Sequence, residues 1–505
     1  MIISLSVLVI TIIVSGTYAL YKAQLSKNIG VNTTTHGLAY YINYVKGTDI
    51  TAATLNPSTS YEGGASSDIE FWKKDDSYDI YGKIELTVNT IGTNLSNSPA
   101  LKYAVVNNGN VLKEGSLKGT TSGSKVTILK NLYLEQTKQI YTVYVWLDNS
   151  EELGNISNES LSISVDCTAS LQKEPTAADT IISLYTSAAK VTATNNSITY
   201  NTAPSVSLMN DRLGGTTTDL DGGNIRYYGA NPNNYIYFNC SDYSNQTSST
   251  CEVWRIIGVF DGKLKLIKSE SIGAYSWDNK DTSTGAESDT GKNDWTTARL
   301  MKLLNPSDYY VVDSNDNELG QSLYWNSASG KCYSGFQNAI VDCDFTSTGI
   351  KNDETRNMIA ETTYNLGGWN DTGVYPNEIY EYERGTTVYT GRPTTWTGKI
   401  ALAYPSDYGY AADLNQCKQT LANYDNSTCT SNNWMKAIIT DNGSNHGWLL
   451  TPDSSYSFGA WYSHGNVGEY FTGAARGAVP VLSLSSKLGI ESGDGSSSNP
   501  YKLSA

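Results

Sequence analysis

Short strands with alternating apolar and polar residues dominate the first third of this chain. The segment "KIELTVNTIG" places Ile84, Leu86 and Val88 on one face, which is the period of a half-buried strand. The segment "YAVVNNGNVLKEG" sets Asn-Gly between two such runs and predicts a hairpin. The strands "SKVTILKNLYL", "YTVYVWLDN" and "SLSISVDC" follow. Residues 28–168 are therefore predicted to form an antiparallel β-sandwich.

The opening "MIISLSVLVITIIVSGTYAL" has a different pattern, because it is apolar throughout and carries no charge. Residues 1–27 are predicted to be either a cleaved export signal or a retained helix. Cleavage after Thr17, Tyr18 and Ala19 would leave a mature end near Leu20. Retention would leave residues 2–20 to span a membrane, for which ~20 residues barely suffice, or to pack in a filament. Both alternatives stay open.

A second change of pattern follows the sandwich. In "SLQKEPTAADTIISLYTSAAK", Ile181, Ile182, Tyr185 and Ala188 recur at helical spacing, so residues 169–194 are predicted to be a linker and a short amphipathic helix. Residues 195–505 are rich in Tyr and Trp and are predicted to be an α+β domain. Its one further predicted helix is "WTTARLMKLLN", in which Ala298, Met301, Leu303 and Leu304 are able to pack together.

The cysteines indicate where the protein works. Six of the seven fall into neighbouring pairs 11, 11 and 12 residues apart, which predicts three local disulfides; the pairs are Cys240 with Cys251, Cys332 with Cys343, and Cys417 with Cys429. Disulfides imply an oxidising, extracellular location. Cys167 shares one strand face with Leu161, Ile163 and Val165, so it is predicted to be a buried thiol, with an intermolecular bridge as the alternative.

Charge and composition exclude some classes of partner. The 505 residues carry a formal charge of -15 and show no stripe of Lys and Arg, which disfavours nucleic acid and anionic lipid surfaces as partners. The chain has 37 Tyr against 7 Phe. Because tyrosine buries a ring while its hydroxyl stays hydrated, this excess predicts exposed β-surfaces and recognition loops.

Two resemblances extend this reading. In the N-terminal region, "SGTYALYKAQLS", "HGLAYYINYV" and "YTVYVWLDNSEELGNISNESLSISV" resemble the TasA/camelysin type of secreted filament subunit over about residues 5–168. The resemblance implies a jelly-roll sandwich that builds fibres by donating a strand to the next subunit, with pilin-like assembly through the apolar helix as a variant.

In the C-terminal region, "NIRYYGANPNNYIYFNC", "CEVWRIIGVFDGKLKLIKSESIGAYSWD" and "GWLLTPDSSYSFGAWYSHGNVGEY" resemble uncharacterised surface proteins of gut Firmicutes. The order of these phrases is also similar to that of domains related to C-type lectins and to the formylglycine-generating fold. This second resemblance implies a displayed domain with a lectin-like architecture.

Candidate ligand-binding residues cluster near the end of the chain. Aromatic rings beside polar groups are typical of sugar-binding sites and of protein hot spots, and such a cluster predicts a site on loops; its members are Trp448, Asp453, Tyr456, Trp461, Tyr462, His464, Glu469 and Tyr470. The alternative for Trp448 and Trp461 is that they fill a small core. Of the three histidines, only His446 and His464 are expected to share a site, since His36 lies in the sandwich.

Metal binding and catalysis have little support in the sequence. Asn370 and Asp371, which follow Trp369, and the loop at residues 219–223 offer oxygen ligands suited to calcium, but both segments are also typical of turns. No cofactor is therefore expected, with calcium as the alternative. Motifs of metalloproteases, serine hydrolases and phosphate-binding loops are missing, so no enzymatic activity is predicted.

The sequence therefore predicts an extracellular structural subunit of a bacterial surface filament or pilus, which displays an adhesive C-terminal domain. Its expected partners are copies of itself and a host or environmental glycan or protein, and its only expected membrane contact is through residues 2–20. One alternative is a membrane-tethered adhesin or glycan-binding receptor. A second alternative is a carbohydrate-active enzyme.

Overall fold

The computed structural model describes residues 23–24, 41–51, 55–156, 159–212, 223–279, 290–306, 322–336, 338–440 and 446–504. The chain divides into two compact units, Met1–Glu174 and Pro175–Ala505. Three predicted features lie outside the described residues. They are the apolar opening except for residues 23–24, the residue His36, and the predicted calcium loop except for Gly223. Among the described residues, no helix is both long and apolar enough to span a bilayer.

In its described residues, the N-terminal unit consists of two β-sheets, one short α-helix, α1 (Thr93–Asn97), and one 3-10 turn at Tyr61–Gly63. Its strands are β1 (Ala23–Gln24), β2 (Ile42–Val45), β3 (Ile50–Thr51), β4 (Pro57–Ser58), β5 (Ala65–Lys73), β6 (Tyr81–Ile91), β7 (Leu101–Asn107), β8 (Asn110–Ser116), β9 (Lys125–Tyr133), β10 (Ile140–Asp148) and β11 (Leu161–Ser170). One sheet has the order β1-β11-β6-β9, with β3 also on β11; the other has the order β2-β5-β10-β7-β8, with β4 on β10. All pairings are antiparallel except β4 with β10.

The predicted alternation is what joins these two sheets. Ile84, Leu86 and Val88 of β6 are fully buried, and one hydrophobic core contains side chains from both sheets. On β11 the predicted face is buried as well, so the antiparallel sandwich is confirmed. Cys167 is a buried free thiol, and burial raises its pKa well above the usual value.

The C-terminal unit is α+β, as predicted. Its strands are β12 (Val191–Asn195), β13 (Ile198–Ala203), β14 (Leu208–Asn210), β15 (Ile225–Tyr227), β16 (Tyr235–Phe238), β17 (Glu252–Phe260), β18 (Lys263–Lys268), β19 (Ala274–Ser276), β20 (Ser329–Tyr333), β21 (Ile340–Asp344), β22 (Thr362–Asn365), β23 (Thr395–Gly398), β24 (Ile400–Ala401), β25 (Gly447–Pro452), β26 (Gly459–Ser463), β27 (Val467–Phe471), β28 (Ala475–Gly477), β29 (Val481–Ser483), β30 (Gly489–Ser492) and β31 (Lys502–Ser504). Its helices are α2 (Ala177–Ser187), α3 (Arg299–Leu304), α4 (Leu323–Asn326), α5 (Asp353–Met358), α6 (Pro376–Glu383), α7 (Pro405–Tyr410), α8 (Ser427–Ser431) and α9 (Lys436–Thr440).

Two larger sheets organise this unit. One has the order β12-β13-β14-β15-β17-β18-β29-β24, with β16 on β17, and the other has the order β19-β28-β25-β26-β27. The chain passes directly between the two sheets at two places, from β18 to β19 and from β28 to β29. Three further strand pairs complete the unit: β20 with β21, β22 with β23, and β30 with β31.

The short helix predicted after the sandwich is present as α2, but it does not act as a linker. Thr176 and Asp179 form a capping box at its start, which satisfies backbone N–H groups that a helix end leaves free. Ile181 and Tyr185 are buried in the core of the C-terminal unit. The boundary between the units therefore lies at Glu174 and Pro175, within the segment predicted as a linker.

The helix predicted at "WTTARLMKLLN" is present as α3, with Leu300, Leu303 and Leu304 buried. The expectation that it would be the only further helix is wrong, since six more short helices follow it in the described part of the chain. These helices have four to eight residues, which is too short for a clear helical period. Pro376 and Pro405 begin two of them, where the missing N–H has no partner to lose.

The three predicted disulfides are confirmed: Cys240–Cys251, Cys332–Cys343 and Cys417–Cys429. Each closes a loop of 11 or 12 residues, and the second crosslinks the β20–β21 pair.

Many tyrosines lie in the interior, which corrects the expectation that they mainly supply exposed surfaces. Tyr404, Tyr408 and Tyr424 are almost completely buried. Their hydroxyls donate to the carbonyl oxygens of Asn365 (2.9 Å), Gly465 (2.6 Å) and Gly409 (3.1 Å). Each ring thus fills core volume while its hydroxyl satisfies a buried carbonyl group of another segment.

A network of buried charges joins three elements of the C-terminal unit. The Asp407 carboxylate in α7 accepts hydrogen bonds from Arg226 of β15 (2.8 Å) and from Lys265 of β18. Arg226 also donates to Asp211 (2.5 Å). Burial raises the pKa of Asp407, but Lys265 and Arg226 outweigh burial and hold that pKa below its usual value. The network fastens α7 to the nine-stranded sheet.

The predicted hairpin at Asn108 and Gly109 joins β7 to β8, and both residues have positive φ, 49° and 76°. We expect Gly109→Ala to lower the free energy of unfolding by about 1 kcal/mol, because an L-residue is strained at this φ while open space surrounds the position of the added Cβ. Chemical denaturation measures this change. Asn108→Gly is the control and should leave stability nearly unchanged; an equal loss in both variants would contradict the backbone explanation.

Candidate functional site

The five-stranded sheet of the C-terminal unit carries most of the residues predicted to bind a ligand. Trp448 of β25 pairs directly with Tyr462 of β26, and Tyr470 of β27 pairs with Ala460, two residues before Tyr462. Directly paired residues and residues two apart on a strand share a face. Trp448, Tyr462 and Tyr470 therefore lie on one face of this sheet.

Arg476 of β28 joins these rings into one cluster. Its guanidinium carbon lies 3.9 Å from the ring centre of Tyr462, 4.3 Å from that of Tyr470 and 5.6 Å from that of Trp448. A cation over aromatic faces is attracted by their negative ring charge. The cluster thus fixes Tyr470, which keeps 42% of its surface exposed.

Two histidines extend the cluster, and their proximity agrees with the expectation that they share a site. The His464 ring lies 5.2 Å from that of Tyr462, almost parallel to it, and 5.1 Å from that of His446. Burial, followed by the charges of His446 and Arg476, lowers the pKa of His464. We call the group of Trp448, Tyr462, His464, Tyr470, Arg476 and His446 the aromatic face.

Trp448 and Trp461 do not contribute surface to a ligand. Both are almost completely buried, and their indole N–H groups donate to the backbone oxygens of Tyr275 (2.9 Å) and Trp369 (3.1 Å). The prediction is corrected for these two side chains: they are core residues, which was the alternative drawn from the sequence.

The loop at residues 453–459 holds Tyr456 outward, with 58% of its surface exposed. The Asn293 amide donates to the carbonyl oxygens of Asp453 (2.8 Å), Tyr456 (2.8 Å) and Gly459 (3.1 Å). Arg392 donates to Asn293 (2.9 Å) and to the carbonyl oxygen of residue 457 (3.1 Å). The loop is therefore braced by residues far away in sequence, which no local pattern indicates.

Next to the aromatic face lies a group of rings that the sequence analysis missed. Phe471 is 5.3 Å from Tyr470, 5.2 Å from Phe458 and 6.4 Å from Phe336, and Phe458 is 5.8 Å from Tyr456. We call Tyr456, Phe458, Phe471 and Phe336 the phenylalanine patch. The chain has only 7 Phe, and three of them are here.

Exposure sets this patch apart from the other phenylalanines. Phe471 and Phe336 are 40% and 41% exposed, whereas Phe71, Phe238 and Phe345 are buried. A signal was present in the sequence, since this Tyr-rich chain uses Phe rarely and "YSFGA" and "EYFTG" lie close together.

A pair of carboxyl groups lies on the opposite face of the sheet. Glu469 pairs directly with Trp461, so it points away from Tyr470. Its Oε1 atom and the Oδ2 atom of Asp453 are buried without another hydrogen-bond partner. Burial, then the hydrogen bond and charge of Asp453, and then the charge of Asp371 raise the pKa of Glu469 to about 8. Glu469 therefore keeps its proton at neutral pH.

The triplet considered for calcium lies near this pair. The Asn370 amide donates to Ser455 Oγ (2.7 Å), and the Asp371 carboxylate accepts from the backbone N–H of Gly373 (2.8 Å), as in a turn. Among the described residues, no group of three or more His, Cys, Asp or Glu side chains is arranged to hold a metal ion.

Of the comparisons with known proteins, the one with solved structures gave matches. No protein-family model matches the sequence, and no curated protein matches it either. Among solved structures, two mutants of HCR/D are each 11% identical with a TM-score of 0.15, and cover 50% and 51% of this chain and 74% and 76% of their own. The receptor binding domain of botulinum neurotoxin mosaic serotype C/D is 12% identical with a TM-score of 0.15, covering 50% of this chain and 73% of its own. TM-scores this low do not indicate a shared fold.

The proton that Glu469 keeps in the folded state makes stability depend on pH. Because the pKa of Glu469 rises from 4.5 to about 8 on folding, the folded state keeps a proton that the unfolded state releases, and the free energy of unfolding falls as the pH rises between these values. We expect Glu469→Gln, which still donates to Asp453 and does not titrate, to flatten this slope.

Denaturation curves at pH 5 and pH 8 measure the effect. Glu491→Gln, at an exposed position of β30, is the matched control and should keep the wild-type slope. An unchanged slope in Glu469→Gln would show that Glu469 does not keep this proton in the folded state.

Proposed function

We propose that this chain is an extracellular adhesive protein whose C-terminal unit binds a glycan or protein ligand through the aromatic face and the phenylalanine patch. The observation that carries this proposal is a continuous set of exposed and partly exposed aromatic rings, which runs from His464 through Tyr462, Tyr470, Phe471 and Phe458 to Tyr456. Such rings are enriched where proteins bind sugars and other proteins.

The way in which the rings are held supports a binding role. Large exposed apolar patches are rare on soluble proteins, and those that occur commonly mark interaction sites. Here Arg476 fixes Tyr462 and Tyr470, and the Asn293 amide fixes the loop that carries Tyr456. A surface ordered before binding loses less conformational entropy when a ligand arrives.

The three disulfides support an extracellular setting, because such crosslinks persist in oxidising compartments. The membrane-tethered alternative depends on residues 2–20, and N-terminal sequencing of the mature chain distinguishes it from an exported protein whose signal is removed. The enzymatic alternative has no specific support among the described residues.

Replacement of Tyr470 and Phe471 tests the binding proposal. We expect Tyr470→Ala/Phe471→Ala to weaken binding to immobilised glycans or matrix proteins tenfold or more, which is about 1.4 kcal/mol, because the two rings are the exposed centre of the surface. Surface plasmon resonance with the full chain measures it. Tyr78→Ala is the matched control, since Tyr78 is equally exposed in the N-terminal unit. Unaltered binding in the double variant would refute the site.

Filament assembly by the N-terminal unit is a second candidate function, favoured by an unpaired stretch of β11. On one side, β11 pairs with β3 at residues 162–163 and with β1 at residues 168–169. Within the described residues, nothing pairs with residues 164–167 on that side. The Tyr44 hydroxyl donates to the carbonyl oxygen of Val165 there (3.4 Å). An unpaired strand segment accepts a strand from another molecule.

The edge strand β8 also supports filament assembly. Strand β8 ends its sheet, and Val111 and Leu112 of β8 are exposed. Exposed apolar residues on an edge strand promote pairing between chains. We therefore infer that copies of this chain associate through the edges of the N-terminal sandwich.

Charged substitutions on β8 test assembly. We expect Val111→Lys/Leu112→Lys to abolish filaments that wild-type protein forms under native conditions, because lysine on an edge strand opposes pairing. Electron microscopy and light scattering measure this. Val341→Lys, at an exposed position of β21 in the C-terminal unit, is the control. Monodisperse wild-type monomers would contradict assembly and leave the binding proposal intact.

A further inference from the structure

Arg476 is a buried cation whose donors are largely unused. Only 9% of its surface is exposed, and its Nε atom is buried without a hydrogen-bond partner. Within the described residues, its side-chain interactions are with the rings of Trp448, Tyr462 and Tyr470. A guanidinium carries five N–H donors, and a buried charge without a partner is unfavourable.

Three other buried cations of the same unit are paired with carboxylates. Arg226 donates to Asp211 and Asp407, Lys265 donates to Asp407, and Lys268 donates to Glu252. Arg255 and Arg392 donate to amide and carbonyl oxygens instead. Arg476 differs from these five cations, because within the described residues its side chain contacts aromatic rings and no oxygen acceptor.

The geometry leaves the donors of Arg476 free for a ligand. Tyr462 and Tyr470 lie close to the guanidinium carbon, at 3.9 and 4.3 Å. The planes of the two rings are inclined by 77°, so at most one of them stacks flat on the guanidinium. Stacking uses the flat sides of the guanidinium and leaves the N–H groups at its rim available. Glu469, the acid next to Tyr470 in sequence, points to the opposite face of the sheet. The charge of Asp425 acts on His464, whose pKa it raises in opposition to burial.

We propose that the aromatic face binds a carboxylated sugar, with Arg476 donating hydrogen bonds to the carboxylate and the rings of Tyr470 and His464 contacting the sugar ring. Arginine binds carboxylates through two parallel hydrogen bonds, and exposed flat rings beside it match the C–H face of a pyranose. This inference rests on the proposed binding function and names the ligand class of the same surface.

The first test uses unmodified full-length protein and an oligogalacturonate compared with its methyl ester. The two ligands share the sugar rings and linkage and differ in the charge of the carboxyl group. We expect the acid form to bind at least tenfold more tightly in isothermal titration calorimetry at moderate salt. Equal affinities for the acid and the ester would overturn the inference.

The second test uses substitutions of Arg476. Arg476→Gln should remove the preference for the acid while retaining weak binding of the ester, and Arg476→Lys should restore only part of it, because lysine lacks the two-donor fork. Arg384→Gln is the matched control: Arg384 also stacks on a tyrosine, Tyr380, at 3.4 Å, but it is paired with Glu383. Thermal melts establish that each variant is folded.

The remaining outcomes separate this inference from the proposed function. Binding of neutral sugars that is lost in Tyr470→Ala, without preference for a carboxylate, overturns the inference and supports the proposed function. Tighter binding of a sulfated oligosaccharide or an acidic peptide than of the oligogalacturonate overturns the assignment to carboxylated sugars. Absence of binding to every sugar and protein probe overturns both.

Discussion

The buried carboxylate of Asp407 is the interaction on which the architecture of the C-terminal unit depends. It receives Arg226, Lys265 and the backbone N–H of Tyr404 (3.0 Å) in the interior, so three charges that are unfavourable alone are stable together. Lys265 lies in β18, which pairs with β29 and continues into β19. Because β19 and β28 begin the five-stranded sheet, the position of the aromatic face follows from this network.

Local patterns foretold the parts of the fold that depend on neighbouring residues. Alternation of apolar and polar residues identified the buried faces of β6 and β11, and the Asn-Gly pair identified the β7–β8 turn. Both features depend only on residues that are close together in the sequence. The short and similar separations between neighbouring cysteines identified the three disulfides, because these partners are also close together in the sequence. The short helices left no such signal, and the interior tyrosines bond to carbonyl groups of distant segments, such as Tyr408 to Gly465.

The candidate site was predictable only in part, since its members are placed by contacts between distant residues. The clustering of Tyr462, His464 and Tyr470 was visible because all three belong to one β-hairpin. Strand alternation, which could not be assigned before the strands were known, sends Trp461 and Glu469 to the opposite side. Asn293 lies more than 150 positions before the loop that it braces, and Phe336 meets Phe471 across a similar separation, so neither residue is marked by local sequence.

The local disulfides have a consequence for how the chain matures. Each closes between cysteines that emerge within about a dozen residues of each other, and short loops close with the least loss of chain entropy. Oxidation can thus proceed in order from the amino end, pair by pair, without the reshuffling that distant partners require. Cys167 precedes all six in sequence and is enclosed in the core of the N-terminal unit, so the one cysteine that could compete for these partners is shielded once that unit is folded.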